Sequence, residues 1–313
     1  MRYIVKKIGM LIVTLLLVSV LAFLAFQIIP GDPTTKLLGT SATPEKVAAL
    51  RETLGLTGSI PARYWRWLTG MLRGDPGVSY AYQQPVAQLL SDKLPVTLCL
   101  SAMSFLLVLL ISIPAGVGLA WRANSFIDRL FGVVNQILMS VPSFFIGILF
   151  TFLFGLVLKW FTPGEFVSYK VSVGRFLLNL IFPALAIALP KCTMVIKLLR
   201  GNILSEYGKD YARTAYSRGN DTKGVIRRHL LRNAMLPVVT FLAFTLADIV
   251  AGSIIVEQIF TISGLGRLLL SAIGNRDYPV VQAIIVILAT IVIVVNTAAD
   301  IINQYLDPRL RLR

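Results

Sequence analysis

Charge is scarce in this sequence. Only 14% of its 313 residues are charged and 56% are hydrophobic, against the roughly 25% charged residues usual in water-soluble domains. With a mean hydropathy of +0.76, that composition argues against a soluble globule. Cysteine and histidine are nearly missing too. Cys99 and Cys192 both lie in apolar runs, with no C-x-x-C pair and no His/Cys cluster, so neither a disulfide framework nor a zinc site is indicated. The single histidine, His229, has none of the companions that metal binding or general-base chemistry requires. There is no G-x-x-x-x-G-K-[ST] run to cradle phosphates and no H-E-x-x-H. A catalytic site, a metal site and a bound cofactor are therefore not expected on this chain.

Acidic residues are half as numerous as basic ones, 15 against 30, for a formal charge of +15. In a soluble protein that excess would suggest nucleic acid, but here it is first sorted by membrane side. A membrane-crossing helix needs about 20 mainly apolar residues. Five runs satisfy this: Ile8 to Ile29, Val96 to Trp121, Leu130 to Leu158, Met235 to Val256 and Pro279 to Ala299. A sixth, Phe176 to Ile196, carries Lys191, which is expected to snorkel from near the helix end. The first run follows Arg2, Lys6 and Lys7 but is too long for a signal core and lacks a small-residue cleavage site, so it reads as an uncleaved anchor. With six spans, one set of short connections and tails holds seventeen Lys and Arg and the opposite set five. Both termini are then expected in the cytoplasm. The excess charge is a topology signal, and nucleic-acid binding is not supported.

Two connections exceed ordinary loop lengths. Residues 31–95 fall outside and read as short helices: one from Thr43-Pro44-Glu45, one from Pro61 and a third from Pro85. Tyr64, Trp65 and Trp67 suit either docking of a partner or an interfacial belt against lipid headgroups. The inner connection, 197–235, is strongly basic. Its centre, Ser205 to Gly219, places Tyr207, Tyr211, Thr214 and Ala215 on one stripe at helical spacing, with Gly219 as the stop. Such a surface helix suits a groove on another protein or an anionic lipid surface.

The run Tyr211-Ala-Arg-Thr-Ala-Tyr-Ser-Arg-Gly219, followed by Arg228 to Pro237, resembles the cytoplasmic loop of ATP-binding-cassette importer permeases of the dipeptide, oligopeptide and nickel family. The resemblance extends through Pro30-Gly-Asp-Pro33, Tyr64 to Leu68, Arg73-Gly-Asp75, Ser140 to Phe144, Val256 to Phe260, Gly264 to Arg267, Asp277-Tyr-Pro279 and Asp307-Pro-Arg309. At the general loop motif Glu-Ala-Ala…Gly…Leu-Pro, this chain has Arg213, Thr214 and Ala215, keeps Gly219 and reaches Leu236-Pro237. The missing initial acid is similar to the peptide and nickel branch.

The resemblance implies an all-α integral membrane permease of six spans, with an anchor at 1–30, an extracytoplasmic helical insertion at 31–95 and a five-helix core at 96–313. It implies a coupling helix seated in a cytoplasmic ATPase, with Glu206, Tyr207, Asp210, Tyr211, Arg213, Thr214, Ala215, Gly219 and Pro237 in the coupling region. Pro237 is expected in the first turn of the next span, where it sets the entry angle. The implied assembly is this chain, a second related permease, two ATPase domains that use ATP and Mg, and an extracytoplasmic solute-binding protein, in a prokaryotic plasma membrane. Di- or oligopeptides are the implied substrate, with nickel or a metal chelate as the alternative.

Within the spans, Pro114, Pro142, Pro183 and Pro190 are candidate kinks. Asp248 is the sharpest intramembrane charge and is expected to face the pathway or a neighbouring subunit; Asn296 and Asp300 are weaker pathway candidates. An ion-coupled carrier acting alone is the rival class, although no internal repeat and few intramembrane carboxylates speak for it. A membrane anchor for a signalling complex is a third reading.

Overall fold

The structure is a computed structural model that describes residues 2–28, 34, 38 and 43–306. The Pro30 to Pro33 and Asp307 to Arg309 motifs lie outside the described residues. Helices dominate, and among the described residues the only β pairing is an isolated bridge between Val78 and Pro85. Among the described residues five helices are long and apolar enough to cross a membrane, and a bent pair makes a sixth crossing if taken as one span. The chain divides into two compact units, 1–97 with 263–294, and 98–262 with 295–313.

In the first unit, α1 (Arg2–Ile28) is the N-terminal apolar helix. Thr43 caps α2 (Pro44–Thr53) through its side chain, which accepts from Lys46 N, and Pro44 fills the first turn. The helix α3 (Ile60–Leu72) likewise begins at a proline. It ends where the chain turns back so tightly that a Cβ on Gly70 would lie 2.6 Å from the Asp75 carbonyl oxygen. The helix α4 (Val86–Trp121) has 36 residues, about 54 Å at 1.5 Å per residue. The short helix expected from Pro85 is thus not a separate element. It is the first turns of α4, which runs on through Pro95, with Val86 and Leu90 buried.

A knot of polar bonds closes this unit. Asp277 is fully buried and accepts from Ser79 Oγ at 2.5 Å, Tyr80 N at 3.0 Å and Ala81 N at 3.2 Å. Its backbone carbonyl accepts from Val281 N in the first turn of α12 (Tyr278–Leu306). The preceding helix, α11 (Leu265–Asn275), starts with Leu265 N donating to Thr97 Oγ1 at 2.8 Å, so a side chain satisfies one of its orphan donors. Burial pushes the Tyr80 phenol up to about 12, a rise that Arg63 opposes and Asp277 reinforces.

The second unit is arranged around α7 (Val173–Tyr207), which packs against α10 (Leu231–Ile259), α5 (Phe126–Ser140) and α6 (Ser143–Phe150). Ala184, Ala186 and Ala188 are buried along α7; small residues let apolar helices approach closely. Leu130 to Leu158 is not one straight span. The helices α5 and α6, the latter continued by a π-helical stretch Thr151–Val157, meet at a 99° bend. Val141 and Pro142 are both extended there, because proline disfavours helical geometry in the residue before it and supplies no N–H of its own. Pro114, Pro183 and Pro190 lie inside continuous helices.

Candidate functional site

The second unit gathers most of its basic residues at one end. There α7 does not stop at Ile196. Leu199 and Ile203 continue its buried face for another turn and more, carrying the helix to Tyr207. Lys191 therefore does not sit near a helix end and does not snorkel: it lies about 24 Å from Tyr207 at helical rise, ion-paired to Asp248 of α10.

Ser205 to Gly219 is not one helix. Gly208 caps α7, Lys209 is extended, and a new helix, α8 (Asp210–Ser217), begins. The stripe expected from Tyr207 to Ala215 is accordingly split between two elements. The break is stabilised by Glu206, whose carboxylate accepts from Lys209 Nζ and from Tyr211 Oη, each at 2.5 Å. Burial and the adjoining Glu206 carboxylate raise the Tyr211 phenol above its ordinary value, while a hydrogen bond with Asn233 opposes the rise. Tyr207 stacks on Tyr216 across the junction, with ring centroids 6.2 Å apart.

The inner face of α8 is Ala212 and Ala215, both buried, set against the end of α7 and the segment that follows. Asp210, Arg213, Thr214, Ser217 and Arg218 face out. The side chains offered outward are thus polar and charged rather than aromatic, because the tyrosines are spent on fixing the turn. Gly219 has φ +81°, a left-handed conformation that glycine adopts without Cβ strain, and its N–H donates to Tyr216 O at 2.9 Å. Asn220 Nδ2 then donates to Ala215 O at 3.0 Å.

After this turn Asp221 caps α9 (Thr222–Val225), and a π-helical turn, Ile226–Leu230, leads directly into α10. Pro237 is consequently well inside a continuous helix rather than in its first turn. The π turn, which holds Arg227, Arg228 and His229, extends the helical run toward α8 because Val225, Ile226 and Leu230 are all buried. Pi-helical turns inside α-helices occur frequently at functional sites.

Two further contacts brace this end. Arg200 makes a bidentate pair with Asp128, Nε to Oδ1 and Nη2 to Oδ2, both 2.7 Å. Lys223 Nζ sits 3.8 Å from the ring centroid of Trp121, the last residue of α4. The connections 122–125 and 208–221 therefore occupy the same end, as charge counting expects. Sequence reading missed Asp128 and Arg200; a lone acid opening an amphipathic helix after Ser125 was the available signal.

The sequence that builds this arrangement matches a known family over nearly its whole length. A family profile described as binding-protein-dependent transport system inner membrane component covers residues 112–312, and the N-terminal profile of the same systems covers 1–101. The chain belongs to this permease family. A putative peptide transport system permease protein of Brucella abortus is 36% identical over 98% of each chain. A probable peptide ABC transporter permease protein of Sinorhizobium fredii is 32% identical over 99% of each. The nickel import system permease protein NikB of Staphylococcus aureus is 30% identical over 100% of this chain and 92% of its own length. This permease is thus a multi-pass membrane component of a binding-protein-dependent importer.

The remaining candidate residues fall in separate places on the permease. Tyr64 and Trp67 pack on α1: Tyr64 Oη hydrogen-bonds Ser19 Oγ at 2.8 Å, and both rings meet Phe23. Trp67 also lines a cavity of about 660 Å³ with Arg51, Arg63 and Arg66. Trp65 alone of the three is exposed. Asn296 and Asp300 lie one turn apart on α12; Asn296 Oδ1 is buried without a hydrogen-bond partner, and Asp300 is half-buried. The structure brings together Lys191 and Asp248, and Glu206, Lys209 and Tyr211, as two groups separated by about 22 Å along α7.

Proposed function

We propose that this permease forms half of the translocation route of an ATP-driven importer of di- or oligopeptides, alongside a second related permease. Two cytoplasmic ATPase domains bind and hydrolyse ATP with Mg, and an extracytoplasmic solute-binding protein delivers the peptide. The chain itself carries no catalytic step and binds no cofactor. Both termini face the cytoplasm of a prokaryotic cell.

The observation that carries this reading is α8, a two-turn helix whose inner face is packed and whose outer face, Asp210, Arg213, Thr214 and Ser217, is free of this chain's own core. Closure of the ATPase pair around such an element moves α7 and α10 together, since α8 is fixed to the first by Glu206 and to the second through Tyr211 and Asn233. Packed elements transmit motion as bodies between discrete arrangements. Asp248, Asn296 and Asp300 are the pathway candidates, and Trp65 the exposed candidate for binding-protein contact.

Peptide is favoured over nickel because the peptide-named relatives share more identity with this chain. Nickel or a metal chelate stands as the second reading on the strength of the full-length nickel permease relative.

Purification of the native assembly, identification of its companion chains and vesicle uptake of trialanine test the reading. Uptake is expected to require ATP, and deletion of Ser205 to Gly219 is expected to abolish ATPase association. Concentrative uptake by the isolated chain, without nucleotide or companions, would overturn it.

A further inference from the structure

Two charged side chains meet where the helices are most apolar. Lys191 lies in the middle of α7 and Asp248 in the middle of α10, each about 24–26 Å from the basic end of its helix at 1.5 Å per residue. Lys191 Nζ donates to Asp248 Oδ2. The Asp248 side chain is 61% accessible and the Lys191 side chain 20%. Around Asp248 the exposed face of α10 is otherwise apolar, with Phe244, Ala251 and Ile255 at helical spacing.

An ion pair presented to hydrocarbon loses the hydration of both charges and recovers only part of it as mutual attraction. This face of the permease therefore meets water or the second permease, not lipid. An ammonium has three N–H donors, and the pair uses one. Asp248 Oδ1 makes no hydrogen bond among the described residues. The doublet consequently offers outward two spare N–H groups and one carboxylate oxygen, side by side and with no net charge. Such a surface complements a group that brings its own separated plus and minus charges. A lone metal cation would meet the adjoining ammonium and be repelled.

We propose that Lys191 and Asp248 form a zwitterion-reading doublet on the translocation route, Lys191 taking the carboxylate end of a short peptide and Asp248 its ammonium end. This rests on the importer reading above and names the substrate chemistry of that route. Exchange of the internal pair for the two peptide termini leaves no charge unpaired during passage, so the doublet binds weakly enough to release.

The test uses the complete assembly in vesicles, with trialanine and trialanine amide each supplied at concentrations saturating the solute-binding protein. The probes differ only in the terminal charge. Wild type is expected to favour trialanine. The double variant Lys191→Met with Asp248→Asn is expected to retain ATPase association and to lose trialanine uptake roughly tenfold more than uptake of the amide, which offers only its ammonium, the difference being one charged hydrogen bond. The exchange variant Lys191→Asp with Asp248→Lys keeps the pair and guards against misassembly; it is expected to assemble and to discriminate less. Equal loss of both probes in either variant, or unchanged trialanine uptake, overturns the proposal, as does loss of nickel uptake with Asp248→Asn but not with Lys191→Met. Absence of any ATP-dependent uptake by wild type would instead strike the importer reading beneath it.

Discussion

The pair of Arg200 with Asp128 sets a measurable value on how firmly the basic end is braced. Both bonds are 2.7 Å, and the side chains are 31% and 7% accessible. Planar, doubly hydrogen-bonded guanidinium pairs are the strong ion pairs. Arg200→Ala leaves the enclosed carboxylate with one remaining donor outside its own residue, Asn124 N at 2.9 Å. Breaking a buried pair from one side costs about 3–5 kcal/mol, and the partial exposure of Arg200 brings this to about 2–4 kcal/mol. Asp128→Ala loses the same pair but leaves the cation able to reach water, so about 1–3 kcal/mol is expected. The double variant is expected to cost much less than the sum, with a coupling of about 2 kcal/mol. Unfolding of the purified chain by SDS in mixed micelles reads all four corners of the cycle. A coupling below about 0.5 kcal/mol would refute the argument that this bond fixes α5 to the inner arm of α7.

Two other outcomes follow from the polar knot of the first unit. Asp277→Ala strands one hydroxyl and two backbone N–H donors. The expected cost is on the order of 3–5 kcal/mol, against about 1–2 kcal/mol for Asp277→Asn, seen as faster proteolysis between residues 74 and 85; equal cleavage of all three proteins would contradict it. Tyr80, whose phenol stands at about 12 against an ordinary 10.0, is folded in its neutral form. Its contribution is therefore intact below pH 10 and is lost as pH rises through about 12, by at most about 2.7 kcal/mol. An alkaline unfolding profile of Tyr80→Phe identical to that of wild type would show that this phenol is not the titrating group.

What the sequence determined by itself was the solvent, and that residues 122–125 and 208–221 share an end. Apolar runs of membrane length and a lopsided distribution of Lys and Arg are properties of composition along the chain, and they require no knowledge of what touches what. The helix starts at Thr43-Pro44 and Pro61 and the stop at Gly219 were legible for the same reason, since capping and left-handed backbone are local chemistry. The ordered string of short motifs located the family.

Tertiary structure decided the rest. Whether Pro142 kinks a span or turns it through 99° depends on what each half packs against, not on the proline alone. That Ser205 to Gly219 breaks at Gly208 follows from Glu206 finding Lys209 and Tyr211 in space. Lys191 looked like a snorkelling residue because its partner is 57 positions away. Asp277 is held to Ser79 across 198. Long-range pairing of charge leaves no periodic trace in sequence, because a buried carboxylate and its donors need share only a place in the fold.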